Sequence, residues 1–162
     1  MGKTISNNPS VSVADSPLCT RGHYVVVIHI LLFKVLKWGV IMAVVNEVKH
    51  IFEPNPLACG QAVLSMLSGV DVYDIIRLVA TERETTLRDM KSALNALGIS
   101  FCDTRVEVSE KSELPQIALL SLETPKCWHW SLYFGGKFYD PEYGVCDDFP
   151  PSARRYYWKI NG

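Results

Sequence analysis

The spacing of hydrophobic positions changes once along the chain, close to Gly98. Between Cys59 and Gly98, apolar side chains recur at intervals of three and four residues in three separate segments, which predicts three amphipathic helices. After Gly98, apolar and polar residues alternate in several short runs, which predicts strands. Helices first and antiparallel strands afterwards indicate an α+β fold, with a helical half packed on an antiparallel β-sheet.

Local signals mark where the three predicted helices begin and end. The first starts at Cys59, and Gly69 is placed to end it. Asp71 is a suitable N-cap for the second helix. Thr86 and Asp89 form a capping-box-like start for the third. These signals predict short helices separated by tight connections.

The second half of the chain contains four runs that are predicted to form strands. They are ISFCDTRVEV, PQIALLSLE, WHWSLYFGGKFYD and RRYYWKI. The third run is interrupted by Gly135 and Gly136, and two glycines between alternating stretches predict a hairpin with a two-residue turn. In that register, Tyr133 faces Phe138.

The same register brings a histidine and an aspartate together. Counting back from the turn, Ser131 faces Asp140, and His129 leaves the sheet on the same face as Ser131. His129 and Asp140 are then diagonal neighbours, with Cβ atoms about 7 Å apart or a little less. At that separation a carboxylate can orient an imidazole, so the turn predicts a His–Asp pair.

The first 41 residues differ in character from the rest. They begin with a polar segment that has no periodicity and continue into an apolar one that Lys34 and Lys37 interrupt. The run Tyr24 to Phe33, in which His29 is also a polar break, is about half of the ~20 residues that a membrane-spanning helix needs. The pattern also does not fit a signal peptide. We therefore expect residues 1–41 to be a poorly structured or apolar extension and residues 42–162 to be the working domain.

Two interpretations of this extension stay open. In the favoured one, Met42 is the true start and residues 1–41 are a mis-assigned upstream sequence. The abrupt change in character at MAVVNEVKHIF supports this, as do codons for residues 37–41 that can encode a ribosome-binding sequence. In the other, residues 24–45 form a signal anchor. The first predicts a cytoplasmic protein and the second a membrane-anchored one.

Charge and cysteine content exclude several classes of protein. The chain has 162 residues and a net charge of −1, so nothing in its electrostatics suggests a nucleic-acid partner. Its five cysteines are odd in number and irregularly spaced, which argues against a disulfide scaffold and for a reducing compartment. Oligomeric state cannot be predicted from these features.

Cys59 lies where loop-like sequence becomes helix-like sequence. The N-terminus of a helix presents unpaired N–H groups and the positive end of the helix dipole, and both stabilise a thiolate. With His129 and Asp140, the chain holds a nucleophile, a base and a group that orients the base. Because the thiol and the His–Asp pair come from separate halves of the domain, we expect them to meet in a cleft between those halves.

Four segments together resemble the papain-like C39 cysteine peptidases, and more closely their stand-alone relatives in bacteria and phages. They are CGQAVLSMLSG, TTLRDMKSALNALGI, LPQIALLSL and HWSLYFGGKFYDPEYG. The resemblance, which covers Glu53 to about Gly144, implies a papain-like fold and a peptide or protein substrate. In that family the matching cysteine is the nucleophile, the histidine the general base and the aspartate its orienter. These roles would fall on Cys59, His129 and Asp140.

One position departs from the family pattern. The family has a glutamine six residues before the cysteine, and its amide helps to bind the oxyanion, whereas this chain has Glu53 there. An ionised carboxylate cannot donate a hydrogen bond, and the loss of one such donor costs on the order of 3 kcal/mol. The remaining candidate donors are Asn55, a protonated Glu53 and the backbone N–H of Cys59.

The predicted activity is hydrolysis of a peptide or amide bond through a Cys-His-Asp triad. Two alternatives stay open. The first is an inactive papain-like module that binds a peptide or protein, as Glu53 would suggest. The second is a deamidase or transglutaminase that uses the same triad. Transporter-linked C39 domains trim leader peptides after a double glycine, but this chain has no transporter segment in its sequence, so that substrate is not carried over.

The remaining candidate residues have simpler interpretations. Trp128 and Trp130 are expected in the core or the wall of the cleft, with substrate binding as the less favoured role. His50 lies in an approach loop and has no partner that the sequence identifies. No cofactor is expected. Three possible zinc ligands near the hairpin have a spacing that fits no standard zinc pattern, so no metal is expected either: Cys127, His129 and Cys146.

Overall fold

The computed structural model describes residues 47–162. The proposed extension 1–41, the proposed start at Met42 and the proposed anchor 24–45 lie outside these described residues. The described part has an α+β architecture with three helices followed by a six-stranded antiparallel sheet. The predicted order of helices and strands is therefore confirmed.

The three helices have the boundaries that their capping signals predicted. They are α1 (Cys59–Ser68), α2 (Val72–Val79) and α3 (Leu87–Ala96). Gly69 ends α1 in the left-handed conformation, with a φ of 68°. The Asp71 side chain accepts a hydrogen bond from the Tyr73 N–H at the start of α2. Thr86 and Asp89 form the complete capping box of α3.

The sheet has the spatial order β1-β6-β2-β3-β4-β5, and every neighbouring pair is antiparallel. Its strands are β1 (Val106–Glu107), β2 (Ile117–Glu123), β3 (Trp128–Phe134), β4 (Lys137–Asp140), β5 (Gly144–Cys146) and β6 (Arg155–Lys159). The C-terminal strand thus returns to lie between β1 and β2. A 3₁₀ turn, Lys111–Glu113, precedes β2.

The hairpin of β3 and β4 has the predicted register. Tyr133 pairs with Phe138, and Leu132 pairs with Tyr139. The turn glycines, Gly135 and Gly136, both have positive φ, at 56° and 92°. Such angles match the twist of the flanking strands, and glycine adopts them without strain.

The two faces of the sheet carry separate hydrophobic clusters. One face packs against the helices, and its central strands contribute Leu119, Leu132 and Trp158. The opposite face carries the smaller cluster built around Leu120 and Phe138. Because side chains alternate along a strand, His129 and Asp140 belong to the face of Phe138.

The run ISFCDTRVEV forms less strand than its alternation predicts. Only Phe101 makes an isolated bridge, to Ile160, before β1 begins at Val106. The reason is exposure, since all the side chains from 102 to 107 face solvent and none of them fixes a buried face.

The helices of the described residues are short. The longest have 10 residues, and none is long and apolar enough to cross a membrane.

Candidate functional site

Three side chains from two distant parts of the sequence meet at the start of α1. A carboxylate oxygen of Glu53, the Sγ of Cys59 and a ring nitrogen of His129 all lie within 4.8 Å of one another. Cys59 and His129 are 7% and 4% exposed, and Glu53 is half-buried. The structure therefore brings together the predicted nucleophile, the predicted base and the residue that replaces the family's glutamine.

The position of Cys59 is set by backbone geometry and close packing. Ala58 occupies the N-cap of α1, no side chain caps this helix end, and its first turn holds no acidic residue. The donors of this turn are therefore not taken by a capping side chain. Directly after Cys59, a Cβ on Gly60 would lie only 1.9 Å from Thr85 Oγ1 and 2.9 Å from Met90 Sδ. The Cys-Gly sequence is needed because this turn packs against the loop before α3 and against α3 itself.

His129 is held by a dense set of hydrogen bonds around Asp140. The Nε2 of His129 lies 3.0 Å from Asp140 Oδ1. The same oxygen accepts the backbone N–H groups of Glu142 at 2.9 Å and Tyr143 at 3.0 Å. Asp140 is fully buried. With Nε2 engaged by the carboxylate, Nδ1 is the ring nitrogen left for Cys59.

The charges of this pair favour an imidazolium opposite a carboxylate. Burial alone would lower the pKa of His129, but hydrogen bonds to Asp140 and Cys59, and the charges on both, outweigh it and raise the pKa to about 10. Burial would likewise raise the pKa of Asp140, but the hydrogen bond and charge of His129, with the N–H groups of Tyr143 and Glu142, hold it below its usual range. His129 is consequently protonated at neutral pH.

Glu53 enters the site through a backbone contact with the loop after β4. Its N–H donates to the carbonyl of Pro141 at 3.1 Å. Its Oε2 is buried and has no hydrogen-bond partner within residues 47–162. The pKa of Glu53 is raised, mainly by burial, with the charge of His129 opposing and those of Glu142 and Asp140 adding to the rise. The Glu53 carboxyl group therefore has a higher pKa than an exposed glutamate.

His50 is a site residue that the sequence analysis missed. Its Nε2 lies 2.8 Å from the backbone carbonyl of Asp140. The imidazole thus fixes the backbone of the residue that orients His129. No signal in the sequence connects His50 with Asp140, because the contact joins residues 90 positions apart through the folded loop.

The other predicted site residues lie outside this cluster. The side-chain amide of Asn55 donates to the Glu82 carbonyl at 3.1 Å, and its oxygen accepts the Leu57 N–H at 2.9 Å, so it organises its own loop. Trp130 is 8% exposed and donates to the Thr85 carbonyl at 2.9 Å, which makes it a core residue. Trp128 is 47% exposed, beside Tyr156.

Four cysteines lie in the described part of the chain, and all are free thiols. Cys102 and Cys127 are exposed, and Cys146 is half-buried. Within the described range, the Glu53, Cys59 and His129 cluster is the one group of three side chains close enough to hold a metal ion. Cys127 and Cys146 do not belong to it.

Comparisons with known proteins leave the site to be interpreted from its own geometry. No family model matches the chain, and no curated protein matches it. The chemistry of Cys59, His129, Asp140 and Glu53 therefore carries the functional interpretation.

Proposed function

We propose that this protein is a papain-like cysteine hydrolase that cleaves a peptide or amide bond through Cys59, His129 and Asp140. One observation carries the proposal. The sulfur of Cys59 lies within 4.8 Å of a His129 ring nitrogen, while Nε2 of the same ring is 3.0 Å from a fully buried carboxylate. The nucleophile therefore lies next to the proton carrier, and the proton carrier lies next to the anion that orients it, as acyl transfer requires.

The chemistry follows from the protonation states. Because the raised pKa of His129 keeps its proton at neutral pH, a thiolate at Cys59 is the complementary partner. The thiolate attacks the substrate carbonyl, and His129 delivers its proton to the leaving amine as the C–N bond breaks. A water molecule then gives a proton back to His129 and attacks the thioester, which releases the acid and restores the thiolate. Asp140 holds the ring in one tautomer throughout.

The negative charge on the carbonyl oxygen requires donors that point into the site. The backbone N–H of Cys59, at the uncapped start of α1, is the first of them. Glu53 supplies a second donor only when its carboxyl group is protonated, and the raised pKa of Glu53 favours that form. In this proposal Glu53 gives a working but weaker oxyanion site than an amide would.

The papain-like assignment is the finer part of the fold proposal. It is supported by the helices-then-sheet order, by the cysteine at the start of the first described helix, and by the His–Asp pair on a hairpin of the sheet. The contact between α1 and β3 brings the two halves together at the site.

A second candidate function has its own supporting observations. An inactive module that binds a peptide in the same cleft would tolerate a carboxylate at Glu53 and a cysteine that is only 7% exposed. A deamidase or transglutaminase would use the same triad.

The experiment that tests the proposal is a peptide-library cleavage profile of the full chain compared with Cys59→Ala. We expect a set of cleaved peptides that disappears in the variant, with thermal unfolding showing that the variant is folded. Peptides left uncleaved by both the wild type and Cys59→Ala would contradict a hydrolase and favour the binding module. Release of ammonia without chain cleavage would assign the same triad to deamidation.

A further inference from the structure

We propose that Glu53, Cys59 and His129 form a binding site for one zinc-like divalent cation, and that a cation bound there blocks the thiol. Binding of the metal is independent of the function proposed above. Only the inhibitory consequence rests on it.

The separation of the three ligand atoms suits a small cation after modest contraction. In a tetrahedral zinc site, bonds of about 2.3 Å to sulfur and 2.0–2.2 Å to nitrogen or oxygen place the ligand atoms about 3.3–3.6 Å apart. The ligand atoms of Glu53, Cys59 and His129 already lie within 4.8 Å of one another. Side-chain rotations that close at most about 1.5 Å convert this cluster into a coordination sphere.

The kinds of ligand select the kind of metal. A thiolate, an imidazole and a carboxylate match zinc and its soft or borderline neighbours, whereas magnesium and calcium prefer oxygen ligands alone. Three protein ligands leave one tetrahedral position for water or an exchangeable group.

The surroundings of His129 supply the support that a metal-ligating histidine needs. A ligating imidazole usually donates its second ring N–H to a carboxylate, which fixes the ring. Here Asp140 Oδ1 lies 3.0 Å from Nε2 and is fully buried. The ring is thus held in one orientation. A cation that binds the other ring nitrogen displaces the proton there, so its binding releases a proton and weakens as pH falls.

Glu53 provides evidence for a bound cation that is separate from the spacing of the three side chains. Its Oε2 is buried without a hydrogen-bond partner among the residues that the structure describes. The nearby charged groups include two more carboxylates, Glu142 and Asp140, against Lys126 and His129. Glu142 is paired with Lys126 at 2.6 Å and Asp140 with His129 at 3.0 Å, which leaves Glu53 as the carboxylate of this group without a cationic partner of its own. A divalent cation would satisfy its unpaired oxygen.

A glutamine at position 53 would weaken this site, which makes Glu53 the residue that the inference depends on. An amide oxygen is neutral and binds zinc less strongly than a carboxylate does. The same replacement that weakens oxyanion binding thus creates a third metal ligand. In a functioning hydrolase, the cation would occupy the sulfur and ring nitrogen that the reaction needs, and removing it would restore activity.

The binding test uses the full chain and the metal alone. Zn²⁺ is titrated against a chromophoric chelator, and Co²⁺ binding is followed through its thiolate charge-transfer absorption. We expect one high-affinity ion per chain, lost in Cys59→Ala and weakened at least about tenfold in Glu53→Gln, because even the loss of a residue that only supports a ligand costs about 10- to 100-fold in metal affinity. Cys127→Ser, at an exposed thiol outside the cluster, is the matched control and should bind like the wild type.

The outcomes separate this inference from the proposed function. Equal affinity in Glu53→Gln, or the same high-affinity stoichiometry in Cys59→Ala, would overturn the site. Hydrolysis that added Zn²⁺ does not inhibit would also overturn the inference while leaving the hydrolase standing. Tight binding that depends on Cys59 and Glu53 in a chain without hydrolytic activity would support the metal site and contradict the hydrolase.

Discussion

The two halves of the site are positioned by different kinds of interaction. In the helical half, Cys59 is placed by sterics, through a helix start without a side-chain cap and a glycine pressed against Thr85. In the sheet half, His129 is placed by hydrogen bonds that converge on one oxygen of Asp140. The nucleophile should therefore be sensitive to added volume, and the base to lost polar contacts.

Each half also has a supporting layer of hydrogen bonds to backbone carbonyls. Behind α1, the buried Gln61 side chain donates to the carbonyls of Thr81 and Arg83 and fixes the loop that crosses Gly60. Behind β4, His50 holds the backbone of Asp140. The geometry of this site is therefore determined by the loop before α3 and by the β3–β4 hairpin, rather than by the interior of a helix or sheet.

The largest effect is expected from Asp140→Asn in the sheet half. The amide cannot stabilise an imidazolium and favours the wrong ring tautomer, so kcat/KM on a cleaved reporter peptide should fall by about 10³- to 10⁴-fold. Asp147→Asn, whose side chain is 89% exposed, is the matched control and should be nearly silent. A rate within a few-fold of wild type for Asp140→Asn would show that the carboxylate does not orient the base.

The same half should give the protein a distinctive pH dependence of stability. The folded pKa of His129 is raised to about 10 from an ordinary value of 6.5. Its protonated form therefore stabilises the fold fully below about pH 6.5, and this contribution is lost as pH rises through about 10. We expect the difference in unfolding free energy between wild type and His129→Gln to shrink over that window, measured by urea denaturation. A difference that stays constant would contradict the raised pKa.

At the junction of the halves, Glu53→Gln should increase hydrolysis at neutral pH. The amide donates to the oxyanion in every protonation state, and one such donor is worth on the order of a hundredfold in rate. Comparing the pH–rate profiles of the two proteins measures this. The ratio should be smallest at acidic pH, where Glu53 is protonated. An unchanged or lower rate throughout would show that residue 53 does not face the oxyanion.

In the helical half, Gly60→Ala should destabilise the protein by about 1–3 kcal/mol, the usual cost of overpacking. The added Cβ would meet Thr85 Oγ1 at 1.9 Å. Gly162→Ala is the control, because its Cβ would make an ordinary 3.7 Å contact with Ile117. Chemical denaturation measures both. Equal stability of the two variants would show that the turn after Cys59 is not tightly packed.

Features with local causes could be predicted from the sequence. The caps at Asp71 and Thr86 use side chains two or three residues from their partners, and Gly135-Gly136 fixes the hairpin register by its own backbone angles. The proximity of His129 and Asp140 followed from that register. This is why the sheet half of the site was predictable in detail.

Features with long-range causes could not be predicted. The return of β6 to a place between β1 and β2, the addition of β5, and the contact of His50 with Asp140 all join segments whose pairing leaves no mark on local periodicity. The crowding at Gly60 likewise depends on where Thr85 lies in the folded chain. The helical half of the site was therefore predictable in type but not in its packing.

The rate at which a thiol-reactive probe labels each cysteine tests the central claim most directly. Exposure favours labelling of Cys102, which is exposed, over Cys59, which is 7% exposed. Hydrogen bonds from Thr104 also lower the pKa of Cys102, which favours its labelling further. A Cys59 activated by His129 should nevertheless react fastest, and it should lose that advantage in His129→Ala. Labelling that follows exposure, with Cys59 slowest and indifferent to His129, would contradict the account.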